Sequence, residues 1–78
     1  MAQYNYTDGV ITRYNVKSPS EVVFFATLQD EKGSLTQKFR TSYASWVAND
    51  ADAGTKVRLR ENLSIPYRLR AWEFVEFL

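Results

Sequence analysis

Five cations recur in the fifteen positions from Lys56 to Arg70: Lys56, Arg58, Arg60, Arg68 and Arg70, with Glu61 the only acid among them. They are half of the ten basic residues in a chain whose net charge is only +1. In Gly54-Thr55-Lys56-Val57-Arg58-Leu59-Arg60 the alternation is strict. Successive side chains of a strand point to opposite faces, so Val57 and Leu59 share one face and Lys56, Arg58 and Arg60 the other. Arg68-Leu69-Arg70 repeats the style. Such a row suits either an ordinary solvated sheet face or a groove that follows a phosphate backbone.

Catalytic chemistry finds little support. The chain has neither histidine nor cysteine, which removes the commonest general base and the best thiol nucleophile. No serine lies in a G-x-S-x-G elbow or an S-x-x-K arrangement, and three scattered glycines cannot cradle a phosphate. Asp50, Asp52 and Glu61 mimic three ligand positions of a calcium loop, but Thr55 stands where that loop needs glycine, and the adjoining strand is basic. Asp50 and Asp52 read instead as turn and capping residues. Glu73 and Glu76 are separated by an odd number of positions, which on a regular strand sends them to opposite faces. The sequence therefore predicts no enzyme, no cofactor and no metal site.

Seventy-eight residues make one domain, 1–78, near the lower limit at which a hydrophobic core holds a fold unaided. With no disulfide or zinc cluster to staple it, packing must supply the stability. At 45% hydrophobic and 15% aromatic the material is present, and 24% charged residues of balanced sign describe a globular chain. The near-neutral total argues against a whole-surface polyanion binder and leaves room for a local basic patch. The first residues, Met-Ala-Gln-Tyr-Asn-Tyr, lack the charged and apolar regions of a signal peptide, and the longest apolar run, 22–28, is of strand length rather than membrane length. A cytoplasmic protein without membrane contact is the expectation.

The patterning predicts five strands and one helix. Residues 4–16 form a long half-buried strand with Tyr4, Tyr6, Val10, Thr12, Tyr14 and Val16 in one phase, the tyrosines serving core or rim packing, and with a bend or bulge near Asp8-Gly9. Lys17-Ser18-Pro19-Ser20 is a turn. Residues 21–29, apolar on both parities, read as a central strand. Asp30-Glu31-Lys32-Gly33 is a hairpin loop with glycine where positive φ is needed, and 34–40 returns as a third strand. The period then changes: Thr41 and Ser42 cap a short helix over 42–49, whose Tyr43, Trp46 and Val47 share a face. The basic strand 55–61 follows, then a loop at 62–67, then a strand over 68–78. That last segment is apolar on both faces beyond Arg70, so either a bulge near Glu73 resets its phase or one face meets another subunit.

Three meandering strands, a short helix and two further strands resemble the order of the oligonucleotide/oligosaccharide-binding (OB) fold, in which a helix between the third and fourth strands plugs a small barrel. G-x-K-V-R-x-R at the fourth strand is similar to many such domains. The expected fold is thus mainly β, a five-stranded small barrel with one short helix between strands 3 and 4, with an SH3-like barrel as the alternative. The resemblance implies a ligand surface across the second and third strands, flanked by the first-second and fourth-fifth loops. Here that surface includes Phe25, Thr27, Lys38, Arg40, Lys17 and the 62–67 loop. The expected function is non-catalytic binding of single-stranded DNA or RNA, with Lys38, Arg40, Lys56, Arg58, Arg60, Arg68 and Arg70 on phosphates and Phe25 and Tyr67 stacking on bases. The alternative is a protein-interaction or assembly module, a homo-oligomer or accessory subunit, with Trp72 and Phe74 at its interface.

Overall fold

Alternation of β-branched and aromatic residues carries most of the chain into strands. The computed structural model describes residues 3–30 and 33–78. Its elements are β1 (Tyr4–Ser18), β2 (Glu21–Asp30), β3 (Gly33–Ser42), α1 (Tyr43–Ala48), β4 (Lys56–Asn62) and β5 (Glu73–Phe77), with a single 3-10 turn at Tyr67–Leu69. Gly33 sits at φ +114°, the conformation expected of the hairpin glycine. Glu31 and Lys32, at the centre of that expected loop, lie outside the described residues, as do Met1 and Ala2. The last strand is shorter than its sequence predicts. After Pro66, Leu69 N–H donates to the Pro66 carbonyl at 2.8 Å and Arg70 N–H to that of Tyr67 at 3.2 Å. These local bonds take the amides that a strand beginning at Arg68 would offer to a neighbour.

All pairings are antiparallel, and the sheet order is β3-β2-β1-β4-β5. The long β1 is shared: its first half pairs with β4 and its second with β2, overlapping at Gly9 and Val10. Gly9 is where β1 presses closest on its neighbours. A Cβ there would stand 2.9 Å from Leu59 Cδ1 and 3.3 Å from the Thr27 carbonyl. The register breaks not at Asp8-Gly9 but between Ile11 and Arg13, and again between Val16 and Ser18. The inward phase of the first half is Gly9 and Ile11, opposite buried Val57 and Leu28 or Ala26, while Tyr6 and Val10 are exposed. Of the core or rim packing expected of the tyrosines, the core is excluded for exposed Tyr6: the apolar phase of β4 dictates which side of β1 turns in. Beyond the bulge Tyr14 swings toward α1, its ring 4.7 Å from that of Trp46.

Phe24 is fully buried at the centre of a core formed with Ile11, Val22, Ala26, Leu28, Phe39, Trp46, Val57, Leu59 and Trp72. Ser42 caps α1 by accepting from the Ser45 N–H at 3.1 Å. Of the expected face of this helix only Trp46 is buried; Tyr43 and Val47 are exposed. The six-residue helix adds one ring, that of Trp46, to the core.

β5 solves the two-faced apolar problem with a bulge at Val75. Leu59 pairs with Phe74 but Arg58 with Glu76, so Phe74 and Phe77 both pack against the core. Their rings lie 4.9 Å apart, and Phe74 meets Phe24 edge-on at 5.3 Å. Among the described residues no strand ladder joins β3 to β5, so the barrel-like sheet is not closed by backbone hydrogen bonds. One side chain bridges the seam: Gln37 Nε2 donates to the Trp72 carbonyl at 2.6 Å, and Trp72 N–H donates to Gln37 Oε1 at 3.2 Å. No helix among the described residues is long and apolar enough to cross a membrane.

Candidate nucleic-acid interface

β4 alternates as its sequence dictates, with Val57 and Leu59 fully buried and Lys56, Arg58 and Arg60 on the outer face. Those arginines are already engaged. Arg58 Nη1 lies 3.3 Å from Glu76 Oε2, and Arg60 Nε donates to Glu73 Oε2 at 2.9 Å. The guanidinium of Arg60 also covers the Tyr4 ring at 4.1 Å. Hydrogen bonds to Glu73 and then Tyr6 hold its pKa above the usual arginine value. The Val75 bulge creates this arrangement, because it brings Glu73 and Glu76 to one face where regular alternation separates them. The most conspicuous basic strand in the sequence is therefore largely neutralised.

Arg70 is also committed, donating from Nε to the Ile65 carbonyl at 2.7 Å and from Nη2 to the Leu63 carbonyl at 3.0 Å. It fixes the 62–70 loop rather than presenting a free cation. Lys56 and Arg68 are exposed. Tyr67 is 53% exposed on that loop, beside Leu35, Gln37 and Glu61.

A second row of cations lies across the outer face of β1, β2 and β3. Register places Arg13 opposite Phe25 and Phe25 opposite Lys38; the next row is Asn15, Val23 and Arg40. Neighbouring strands are about 5 Å apart, so Phe25 is flanked closely by a cation on each side. The Arg13 guanidinium lies 4.2 Å from the Phe25 ring centre, and Arg13, Lys38 and Arg40 are all exposed. Among the described residues none of these three cations has an ion-pair partner. One row beyond Phe25, the Thr27 and Thr36 hydroxyls meet at 2.7 Å, and Thr12 Oγ1 donates to the Phe25 carbonyl at 3.3 Å. Glu21, in phase with Val23 and Phe25, lies one row beyond Arg40, opposite Ser42, and makes no ion pair with that arginine.

The structure thus brings Phe25, Lys38 and Arg40 together and adds Arg13, which the sequence did not single out. Its parity, opposite to the tyrosines, was visible; its alignment with Phe25 depends on the extra residue at Thr12, which has no glycine or proline to mark it. Trp72 and Phe74, expected at an interface, are drawn into this chain's own core, Trp72 being 8% exposed. Asp50 and Asp52 serve the turn before β4: Asp50 adopts φ +50° and Asp52 Oδ1 accepts from the Ala53 N–H at 2.8 Å. Among the described residues no group of three acidic side chains is placed to hold a metal ion. The Asp52 carboxylate near the Tyr14 hydroxyl, aided by burial and a hydrogen bond, holds that phenol above the ordinary tyrosine pKa.

Arranged this way, the β1–β2–β3 face offers an aromatic plane, flanking cations without anionic partners, and a pair of hydroxyls. Comparison with protein-family models, curated proteins and solved structures finds no match to this chain.

Proposed function

We propose that this chain is a non-catalytic, cytoplasmic binding module of the OB type for single-stranded DNA or RNA, with its ligand across β1, β2 and β3. Support for the OB assignment comes from topology: β1 shared between β2 and β4, the helix between β3 and β4, and β5 tethered beside β3 through Gln37. The observation that carries the functional reading is the Arg13–Phe25–Lys38 row with Arg40 beside it. Unpaired bases offer π-faces to an aromatic platform, and phosphates attract cations that lack intramolecular partners. Arg13 plays both parts, since a guanidinium plane stacked on Phe25 is itself a surface on which a base can lie.

Fluorescence anisotropy of labelled single-stranded DNA and RNA tests the reading. Micromolar or tighter binding at low salt is expected. Arg40→Glu or Lys38→Glu should weaken it roughly tenfold, the size of one lost charge-assisted contact, whereas Arg58→Gln should leave it within about twofold. Absence of binding at low salt sinks the proposal. Equal sensitivity to Arg58→Gln moves the ligand to β4.

A further inference from the structure

The outer face of β2 and β3 changes character halfway along. Rows Arg13–Phe25–Lys38 and Asn15–Val23–Arg40 hold its cations, while rows Val10–Thr27–Thr36 and Gln29–Ser34 carry no charge. In the uncharged half the side chains are tied across the strands. Thr27 Oγ1 and Thr36 Oγ1 meet at 2.7 Å, and Gln29 Nε2 donates to Ser34 Oγ at 3.2 Å. Each hydroxyl brings one hydrogen and two lone pairs. The threonine pair shares one hydrogen, which leaves the other O–H and lone pairs on both oxygens for a ligand. Thr36 is exposed and Thr27 half-buried, and neither hydroxyl has a further partner among the described residues.

The placement of the cations says what reaches that pair. Lys38 and Arg40 stand two residues apart on β3, about 7 Å, a length that one extended nucleotide spans. Phosphates held there run the backbone along β3 and turn the bases toward Phe25 on β2 and Arg13 on β1. Beyond Arg40 the next row holds Glu21, whose charge repels a phosphate. In the other direction, beyond Lys38, the backbone crosses the threonine pair. A ribose sits between phosphate and base, and the pair straddles β3, the strand of the cations, and β2, the strand of the ring. We infer, resting on the nucleic-acid reading and narrowing it, that the ligand is RNA and that the Thr27–Thr36 pair grips a ribose 2′-hydroxyl, at once donor and acceptor. The pair is already held by its own hydrogen bond, so gripping the ribose costs little further ordering of side chains.

Fluorescence anisotropy with labelled oligouridylate RNA and its 2′-deoxy counterpart isolates that group, since base and phosphate are shared. The wild type should bind the RNA roughly three- to tenfold more tightly, the size of one or two neutral hydrogen bonds. Thr27→Val combined with Thr36→Val removes both hydroxyls together and keeps β-branched side chains suited to strands. In that double variant the preference should vanish through weaker RNA binding, with deoxy affinity unchanged. Thr36→Ser, which keeps the hydroxyl, should retain the preference. Equal binding of the two strands by the wild type overturns the inference and leaves the nucleic-acid reading standing. A preference that survives in the double variant overturns it too, placing the ribose contact elsewhere. So does an equal loss of RNA and deoxy affinity, which would assign the threonines to another part of the nucleotide. Binding of neither strand removes the nucleic-acid reading and this inference with it.

Discussion

Phe24 and Phe25 are neighbours in sequence and opposites in role. Alternation with Val22, Ala26 and Leu28 sends Phe24 inward, and the sequence shows on the same ground that one of the two phenylalanines must leave the core. Phe24→Ala should cost about 3–5 kcal/mol of stability through lost burial and the cavity left behind. Phe25→Ala should leave the denaturant midpoint nearly unchanged and weaken oligonucleotide binding by about 1–3 kcal/mol, the contribution of one stacked base. A large stability loss at Phe25 with unaltered affinity would make the ring a structural cover for Arg13. Tyr14 gives a second residue-scale expectation, in pH. Asp52 favours the neutral phenol in the folded state, so the folded pKa lies above the unfolded value near 10. The associated stabilisation is fully present below about pH 10 and is lost as pH rises through the folded pKa. Absorbance titration should show the Tyr14 phenol ionising above the ordinary tyrosine value, and Asp52→Asn should lower its pKa. An unchanged titration in that variant excludes Asp52 as the cause.

Strands β2, β3 and β4 and the helix start were legible because each rests on local signals: alternation, a glycine at the hairpin, a serine cap. What sequence left hidden depends on two of the three register shifts, those at Thr12 and Val75. A bulge inserts one residue and flips every side chain beyond it, and neither position carries a glycine or proline to announce it. The first bulge built the Arg13–Phe25 stack. The second turned Glu73 and Glu76 toward the arginines of β4 and drew Phe74 into the core. The need for some phase reset in the last strand was readable from its two apolar faces; its consequence for the cations was not. The β3–β5 seam makes a prediction at this scale. Gln37 is the side chain seen to join the two edges there, through two part-buried bonds to Trp72. Gln37→Ala should destabilise the fold by about 1–3 kcal/mol, as unsatisfied buried groups do, and should selectively speed hydrogen exchange at the Trp72 amide. Unchanged exchange there would show that the seam is held by ring packing alone.

Across the whole molecule, the nucleic-acid binding proposed above would depend less on how many cations the chain has than on which ones its own acids leave unpaired. A net charge of +1 conceals a division: β4 and β5 neutralise one another in ion pairs, while the hairpin face keeps Arg13, Lys38 and Arg40 without such partners. Counting basic residues along the sequence pointed to β4 because it could not see where Glu73 and Glu76 would fall. Ionic strength separates the two pictures quantitatively. For single strands the logarithm of affinity falls with the logarithm of salt by about 0.7 per phosphate neutralised. If Arg13, Lys38 and Arg40 each hold one phosphate, the slope should be about −2. Were all seven cations singled out from the sequence engaged, it would approach about −5. Arg40→Glu should flatten the slope by about one phosphate's share, and Arg58→Gln should not, because an arginine already paired with Glu76 releases no counterion from the nucleic acid. A slope near the larger value would mean that ligand binding breaks the β4–β5 ion pairs, and the unliganded face would then be a resting arrangement rather than the binding one.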